Sequence, residues 1–453
     1  MATDQPRPAV TRSLAERAAR LSLDDLSSEG RQVVRHCILD WIAVTLPGAA
    51  EPATRILAET LLADGAAPAA TLFGARGRTS VLNAAVINGT ASHALDYDDV
   101  NMAFVGHPTV AILPALLAVA EDQGASADAL IEAFAAGYDV VCRVGVLVAP
   151  AHYAHGFHVT ATAGSIGAAA GVARLMGLSA AQTAVAMGLA ATMGAGLKSM
   201  FGTMAKPLHA GRAAQNGLLA AQLAARGFTA RPDALECEQG FAATQSTDFN
   251  AAEAMADKSA DAHLRANLFK YHAACYLTHG AIEAASRLRQ DHGIAPAIIE
   301  TITITVAPGS DRVCNIASPT TGLEAKFSLK LTAAMALAGW DTSGIAVYTD
   351  ELTRDPELVR LRDATTVEFS TQMGGAEGQV SIRAGSRTYT ASHDAGLPNR
   401  DLGDQERKLS TKFDALVTPI LGTGRTAELK GAILGFGGRT GLHDILNLTE
   451  TAP

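Results

Sequence analysis

LMGLSAAQTAVAMGLAATMGAGL, residues 175–197, is a run of 23 residues without a charge, long enough to cross a bilayer as one helix. Two features argue against a span. Gly177 reads as a helix stop, and Ser179-x-x-Gln182 reads as a capping box that opens a new helix. The run is also built mostly from Ala, Gly, Met and Thr. The reading is therefore two buried helices. It extends to Ala161–Ala225, a small-residue-rich segment expected to be helical almost throughout and to form the centre of a helix bundle.

Outward from this centre the helical pattern continues. Residues 1–60 read as amphipathic helices, with Ser13-x-x-Glu16 as a first cap. Asp64–Arg78 is Gly/Ala/Pro-rich and reads as a loop, and Val81–Leu95 as a helix interrupted or bent near Gly89. Thr109–Glu121 and Ser126–Val148 are apolar with helical spacing. Near Lys270 the character changes. Glu300–Val306 (ETITITV) alternates, with Ile302, Ile304 and Val306 on one face, as a half-buried strand does. Thr366–Phe369, Gln379–Arg383 and Thr388–Thr390 read as further strands, the last two joined by a hairpin turn at Ala384-Gly385-Ser386. Lys326–Leu337 reads as a helix between them. Helices return at Arg407–Leu421 and Glu428–Leu434. The expected fold is mainly α. A large discontinuous all-α helical bundle, residues 1–270 and 401–453, carries a smaller α+β lid domain at 271–400.

Composition bounds the function. With 48% hydrophobic and 18% charged residues, the chain is globular. A net charge of −9 argues against nucleic acid, which calls for a basic surface. The five cysteines (Cys37, Cys142, Cys237, Cys275, Cys314) form no CxxC pair, which excludes the usual zinc spacing and disfavours an iron–sulfur cluster. Their odd number and the polar N-terminus, without a leader-like apolar core, point to a reducing, cytoplasmic compartment. The expected partner is a small molecule, with no nucleic acid and no membrane.

Chemistry concentrates in HALDYDDVNMAFVGHPT, residues 93–109. Helical spacing would put His93, Asp96 and Tyr97 on one face. Asp98 and Asp99 follow, and Gly106-His107-Pro108 fixes the backbone beside a second histidine. Burying so many charges needs compensation. Basic groups are available in four other places. These are His152-Tyr153-Ala154-His155-Gly156-Phe157-His158, Lys198, Lys206-Pro207-Leu208-His209-Ala210-Gly211-Arg212, and Lys270-Tyr271-His272. The three histidines at spacing three lack a carboxylate-bearing signature such as HExxH, so no metal is expected. The cations would either neutralise the acids or hold a substrate with several carboxylates, in a cleft between body and lid. No GxSxG elbow, phosphate-binding GxxxxGK[ST] loop or strand–GxGxxG–helix unit is present.

These residues, with GYDVVCRVG, GFHVTATAGSIGAAAGVARLMGL, AKPLHAGRAAQNGLLAAQLAARGFTA, FKYHAACYLTHGAIEAA and the late Lys412-Phe413 pair, resemble the MmgE/PrpD family along nearly the whole chain. That family includes 2-methylcitrate dehydratase, cis-aconitate decarboxylase and iminodisuccinate epimerase. The resemblance implies a homodimer with no metal and no organic cofactor, and site positions at Asp96, His107, His158, Lys206 and Lys270. One departure stands out. Where decarboxylase-like members resemble A-x-x-S-x-x-Y, Ala325–Leu331 here puts leucine in the tyrosine's place, and Val100 replaces a common threonine.

The absent phenol leads to the expectation of an iminodisuccinate-type epimerase. It would abstract a proton next to a carboxylate and return it to the opposite face of a small polycarboxylate. A dehydratase or decarboxylase is the alternative, and a non-catalytic carboxylate-binding protein the third reading. Lys206, His158, Asp96 and His107 are the candidate catalytic residues. Lys270, Arg212, Lys198, His155, Tyr153 and His209 are the candidate substrate-binding ones.

Overall fold

Ser179 settles how the uncharged run folds. The Ser179 hydroxyl accepts a hydrogen bond from the Gln182 amide at 3.3 Å, and the Gln182 side chain accepts one from the Ser179 amide at 3.1 Å. Gly177, at φ +68°, ends the helix before it. The run is thus no single helix: Leu175 ends one helix, Ala180–Met193 forms the next, and residues 194–197 lie outside both. The computed structural model describes residues 8–75 and 77–449, so the first seven residues of the polar N-terminal stretch lie outside it. Among the described residues no single helix is long and apolar enough to cross a membrane.

The chain divides into two compact units, Met1–Phe269 with Asp401–Pro453, and Lys270–Arg400. The first unit contains α1 (Val10–Arg20), α2 (Ser28–Gly48), α3 (Pro52–Leu62), α4 (Val81–His93), α5 (Pro108–Gln123) and α6 (Ala127–Val148). It continues with α7 (Val159–Leu175), α8 (Ala180–Met193) and α9 (Ala205–Ala225). Central α7 packs on α5, α6, α8 and α9, and α9 also packs on α4 and α5. The glycine and alanine content explains how so many helices share one centre. A Cβ on Gly211 would lie 2.2 Å from the Val86 carbonyl oxygen, and one on Gly89 would lie 2.7 Å from Gly211 Cα. At these crossings backbone meets backbone, and only glycine fits.

The second unit is built on a four-stranded sheet of β3 (Thr301–Val306), β4 (Thr365–Phe369), β5 (Glu377–Ala384) and β6 (Arg387–Asp394), in the order β4-β3-β5-β6. β3 pairs parallel with β4 and antiparallel with β5, with Ile302 opposite Ile382. Its buried residues are Ile302, Ile304 and Val306. Helix α10 (His279–His292) lies on β5 and β6 and also packs against α11 (Leu329–Ala338), which contacts α12 (Pro356–Asp363). After Arg400 the chain returns to the first unit as α13 (Leu402–Leu421), α14 (Thr423–Leu434) and α15 (Leu442–Thr449), with α13 packed on α2.

Several local expectations need correction. Ser13 lies inside α1 and caps nothing. α4 runs unbroken through Gly89, because that glycine serves a close crossing and not a bend. Asp64–Arg78 is not all loop: β1 (Ala70–Thr71) pairs with β2 (Arg78–Thr79). Helix α11 starts at Leu329, where the Ser328 side chain accepts from the Leu331 amide. Between α8 and α9 the helical run is interrupted at residues 194–204, apart from one short turn. His93 is the last residue of α4, so Asp96 and Tyr97 do not share its helical face.

Candidate active site

The site is built where α4 stops and α5, α7 and α9 start. After His93 the chain turns sharply, and Asp96 takes φ +50°. Val100 and Leu268 exchange a pair of 2.8 Å backbone hydrogen bonds, which tether the turn. Residues 101–106 loop back on themselves, with the Asn101 amide donating to the Gly106 carbonyl at 3.0 Å. Val105 is held at φ +52°, unusual for a β-branched residue and a form of strain that collects at functional sites. His107 is extended, as the residue before proline must be, and its amide donates to Thr160 Oγ1 at 3.1 Å.

Three helices begin at this place without a side-chain cap. His107 occupies the N-cap position of α5, His158 that of α7, and Lys206 lies in the first turn of α9. Serine or aspartate is the usual choice for such a cap. Histidine there leaves its ring free for other partners. The His158 backbone is fixed by a bond from its amide to the Gly196 carbonyl at 3.0 Å. Uncapped helix starts carry partial positive charge and favour anions.

The side chains converge around Asp98. His93 Nδ1 lies 3.0 Å from both oxygens of the Asp98 carboxylate. His107 Nδ1 makes an ion-pair contact with Asp98 Oδ2 at 2.9 Å, although it lacks the alignment of a full hydrogen bond. A carboxylate beside Nδ1 assigns the proton to that nitrogen and leaves Nε2 to face other partners. In His93, Nε2 is buried without a hydrogen-bond partner. Lys206 Nζ lies 2.7 Å from Asp96 Oδ2, and His107 Nε2 is 3.8 Å from Asp96 Oδ1. The His93 ring centroid is 4.5 Å from that of His107 and 6.0 Å from that of His158. His158 Nδ1 meets His209 Nδ1 at 3.1 Å. Phe201 borders the group, edge-on to His158 at 5.0 Å and 5.3 Å from the Lys206 ammonium.

Burial sorts the charges. It pushes the Asp98 carboxyl up, but His93 and His107 more than offset this and hold it well below the usual range. Burial pulls His93 down to about 4, with Asp98 opposing and His107 and Lys206 assisting. Burial and then the neighbouring cations and imidazoles pull His158 down to about 2. Near neutrality His93 and His158 are therefore uncharged. Asp99 faces away from this group. Its Oδ2 accepts from Thr109 Oγ1 at 2.5 Å and from Asn267 Nδ2 at 2.8 Å, and burial, reinforced by Asp40, raises it to about 7.

Donor atoms of His93, Asp96, Asp98 and His107 all lie within 4.8 Å of one another. Two imidazoles and two carboxylates make a set that could take a divalent transition metal. A metal ion would have to displace the Lys206 ammonium from Asp96 and the imidazole N–H groups from Asp98.

Of the residues picked from the sequence, Asp96, His107, His158, Lys206 and His209 lie together in this cluster. Lys198 Nζ is engaged by Tyr153, 3.1 Å from its carbonyl and 3.5 Å above its ring. Arg212 and His155 are exposed, and Arg212 pairs with Gln215. The triple-histidine motif is split. His152 is buried between Thr162 Oγ1 and the Gln245 carbonyl, at 2.7 and 2.9 Å, while His155 faces out. Lys270 is buried at the start of the second unit. His93 and Asp98 are central yet absent from the candidates drawn from sequence. Helical spacing pairs His93 with Asp96, and only the break after His93 brings Asp98 back to it.

A helical unit holding carboxylates, imidazoles and an ammonium at uncapped helix starts has the character of a centre for acid–base chemistry on small anions. The chain belongs to the MmgE/PrpD family: residues 12–254 match the MmgE/PrpD N-terminal domain and residues 272–433 the MmgE/PrpD C-terminal domain. It is 24% identical to a cis-aconitate decarboxylase of Aspergillus terreus over 481 aligned positions, covering 99% of this chain and 97% of that one. It is 29% identical to human cis-aconitate decarboxylase over 240 positions, covering 52% and 50% of the two chains.

These likenesses overturn the expected epimerase. The relatives are decarboxylases, and nothing favours iminodisuccinate epimerase as the nearest member. The expectation of an epimerase rests on Leu331 and Val100. Leu331 is fully buried in the second unit, in the first turn of α11 above the Ser328 cap. A leucine there counts among the core residues of that unit.

Proposed function

We propose that the protein is a lyase that removes CO₂ from a small unsaturated tricarboxylate of the cis-aconitate type. The observation that carries this reading is the end-to-end likeness to the Aspergillus terreus cis-aconitate decarboxylase. The imidazole–ammonium cluster supplies chemistry that fits it. In such a reaction the C–C bond to the departing carboxylate breaks, and its electron pair stays on carbon, conjugated with a neighbouring carboxylate. One proton is then taken up by carbon, so each turnover consumes a proton and releases CO₂.

Each step has a candidate among the clustered residues. The uncapped starts of α5, α7 and α9 and the Lys206 ammonium would hold the remaining carboxylates. His107, with Nδ1 turned to Asp98, presents Nε2 as the proton-transfer atom. His158, kept neutral, serves as a hydrogen-bonding group and not as an acid. Asp96 orients Lys206, and Lys270 is proposed as a further cationic contact. The test is incubation of the purified protein with cis-aconitate, with product followed by proton NMR and evolved CO₂ trapped. Stoichiometric CO₂ and a decarboxylated dicarboxylate are expected. Intact substrate after prolonged incubation at micromolar enzyme would overturn the reading.

A further inference from the structure

Lys412, in the late Lys-Phe pair, is wholly buried and far along the chain from the site residues. α13 delivers its ammonium to one place. Nζ lies 2.5 Å from Asp40 Oδ1 on α2, donates to the Tyr97 carbonyl at 2.6 Å, and sits 3.9 Å above the Tyr97 ring. Tyr97 is the residue between Asp96 and Asp98. Its peptide follows the φ +50° kink at Asp96, a backbone state that persists only when its surroundings fix it.

We propose that Lys412 is a positioning residue for the site, holding the Tyr97 carbonyl so that Asp96 meets Lys206 while Asp98 meets His93 and His107. A buried ion pair is a poor source of stability, since apolar side chains of similar volume do as well. Its presence beside a strained turn is explained by the geometry it imposes. Asp40 compensates the charge, and the carbonyl bond sets the direction of the turn. The Lys412 and Asp40 side chains are 0% and 2% exposed, so in this proposal their effect passes through Tyr97.

The inference rests on the decarboxylase reading, and its test separates the two. Asp40→Leu/Lys412→Met removes both charges together and avoids an orphaned buried carboxylate. It is compared with wild type by melting temperature, by kcat and KM for cis-aconitate, and by the pH profile of kcat. The expected variant melts within a few degrees of wild type, loses about 10²-fold in kcat through misplacement of the catalytic groups, and shows a displaced pH profile. A folded variant with wild-type kcat and profile would overturn the proposal. If that pair does not fold, Asp40→Asn/Lys412→Gln is measured in the same way. Failure of both to fold would also overturn it, by making the pair a folding element. A wild-type protein that releases no CO₂ sinks the decarboxylase reading alone. Lys412 is then judged by the imidazole NMR signals of His93 and His107, which the double variant should displace; signals unchanged from wild type refute it.

Discussion

Lys206 Nζ stands 2.7 Å from Asp96 Oδ2, and the Asp96 side chain is 54% exposed while that of Lys206 is 15% exposed. This pair lies at the outer edge of a cluster whose inner members, His93 and Asp98, are almost wholly buried. So exposed an ion pair contributes at most about 1 kcal/mol to stability. In the proposed lyase, its value lies in holding a cation at the start of α9 for a substrate carboxylate. Lys206→Met is therefore expected to leave the melting temperature within a few degrees of wild type. Turnover of cis-aconitate should fall by about 10²–10⁴-fold, as when a group that assists proton transfer and charge stabilisation is removed. Calorimetry and CO₂ release on the same preparation check both halves.

Burial of neutral imidazoles makes the fold acid-sensitive. His93 and His158 have folded values depressed to about 4 and about 2, against an ordinary value of 6.5. The unfolded chain binds protons there first, so their contribution is complete above pH 6.5 and is lost as pH falls below it. Asp99, raised to about 7, works in the opposite sense and loses its contribution as pH rises towards 7. His36, His152, His209, His263 and His279 are also held down by burial, so the histidines outweigh the one carboxyl and acidification brings a net loss. Wild type should lose stability between pH 6.5 and 4.5. His158→Gln should flatten that loss by about 1.4 kcal/mol per pH unit. Urea unfolding at a series of pH values measures the slope, and an identical slope in the variant would refute the assignment of a neutral buried His158.

Much of this fold is legible in the amino-acid sequence. The capping box at Ser179, the alternation of Ile302, Ile304 and Val306, and the small-residue centre each follow from local chemistry, and each is present. Density of charge marks His93–Thr109 as the candidate site. Its internal wiring was not legible, because it depends on a non-helical turn at Asp96 and a carbonyl fixed by Lys412 from another part of the chain. The expectation of an epimerase rests on two positions, Val100 and Leu331, the second of which is wholly buried. A motif position informs chemistry only when its side chain can reach the reacting atoms.

Glycines in α9 and α14 should respond oppositely to the same substitution. Gly211 faces the Val86 carbonyl, 2.2 Å from where a Cβ would stand, and Thr90 Oγ1 at 2.4 Å. Both are held by packed helices, so Gly211→Ala must push α9 off α4 and should cost about 1–3 kcal/mol. Gly431 lies within α14 with nothing within 4 Å of a built Cβ. Gly431→Ala should stabilise by about 0.5–1 kcal/mol through reduced freedom of the unfolded chain. Paired denaturant titrations decide, and equal effects of one sign would contradict this account of the bundle centre.

Leu331 tests the corrected reading of the tyrosine position. If that position lined the reaction site, Leu331→Tyr would supply a phenolic proton donor and raise decarboxylation. The structure places the residue among the buried side chains of α11, with Leu329, Thr332 and Ala334 also buried. A ring and a hydroxyl inserted there overpack the second unit and bury an oxygen that needs a partner. The expected outcome is a loss of about 1–3 kcal/mol with no gain in kcat. Activity and melting temperature measured together decide: a stable Leu331→Tyr enzyme with faster CO₂ release would return this position to the chemistry.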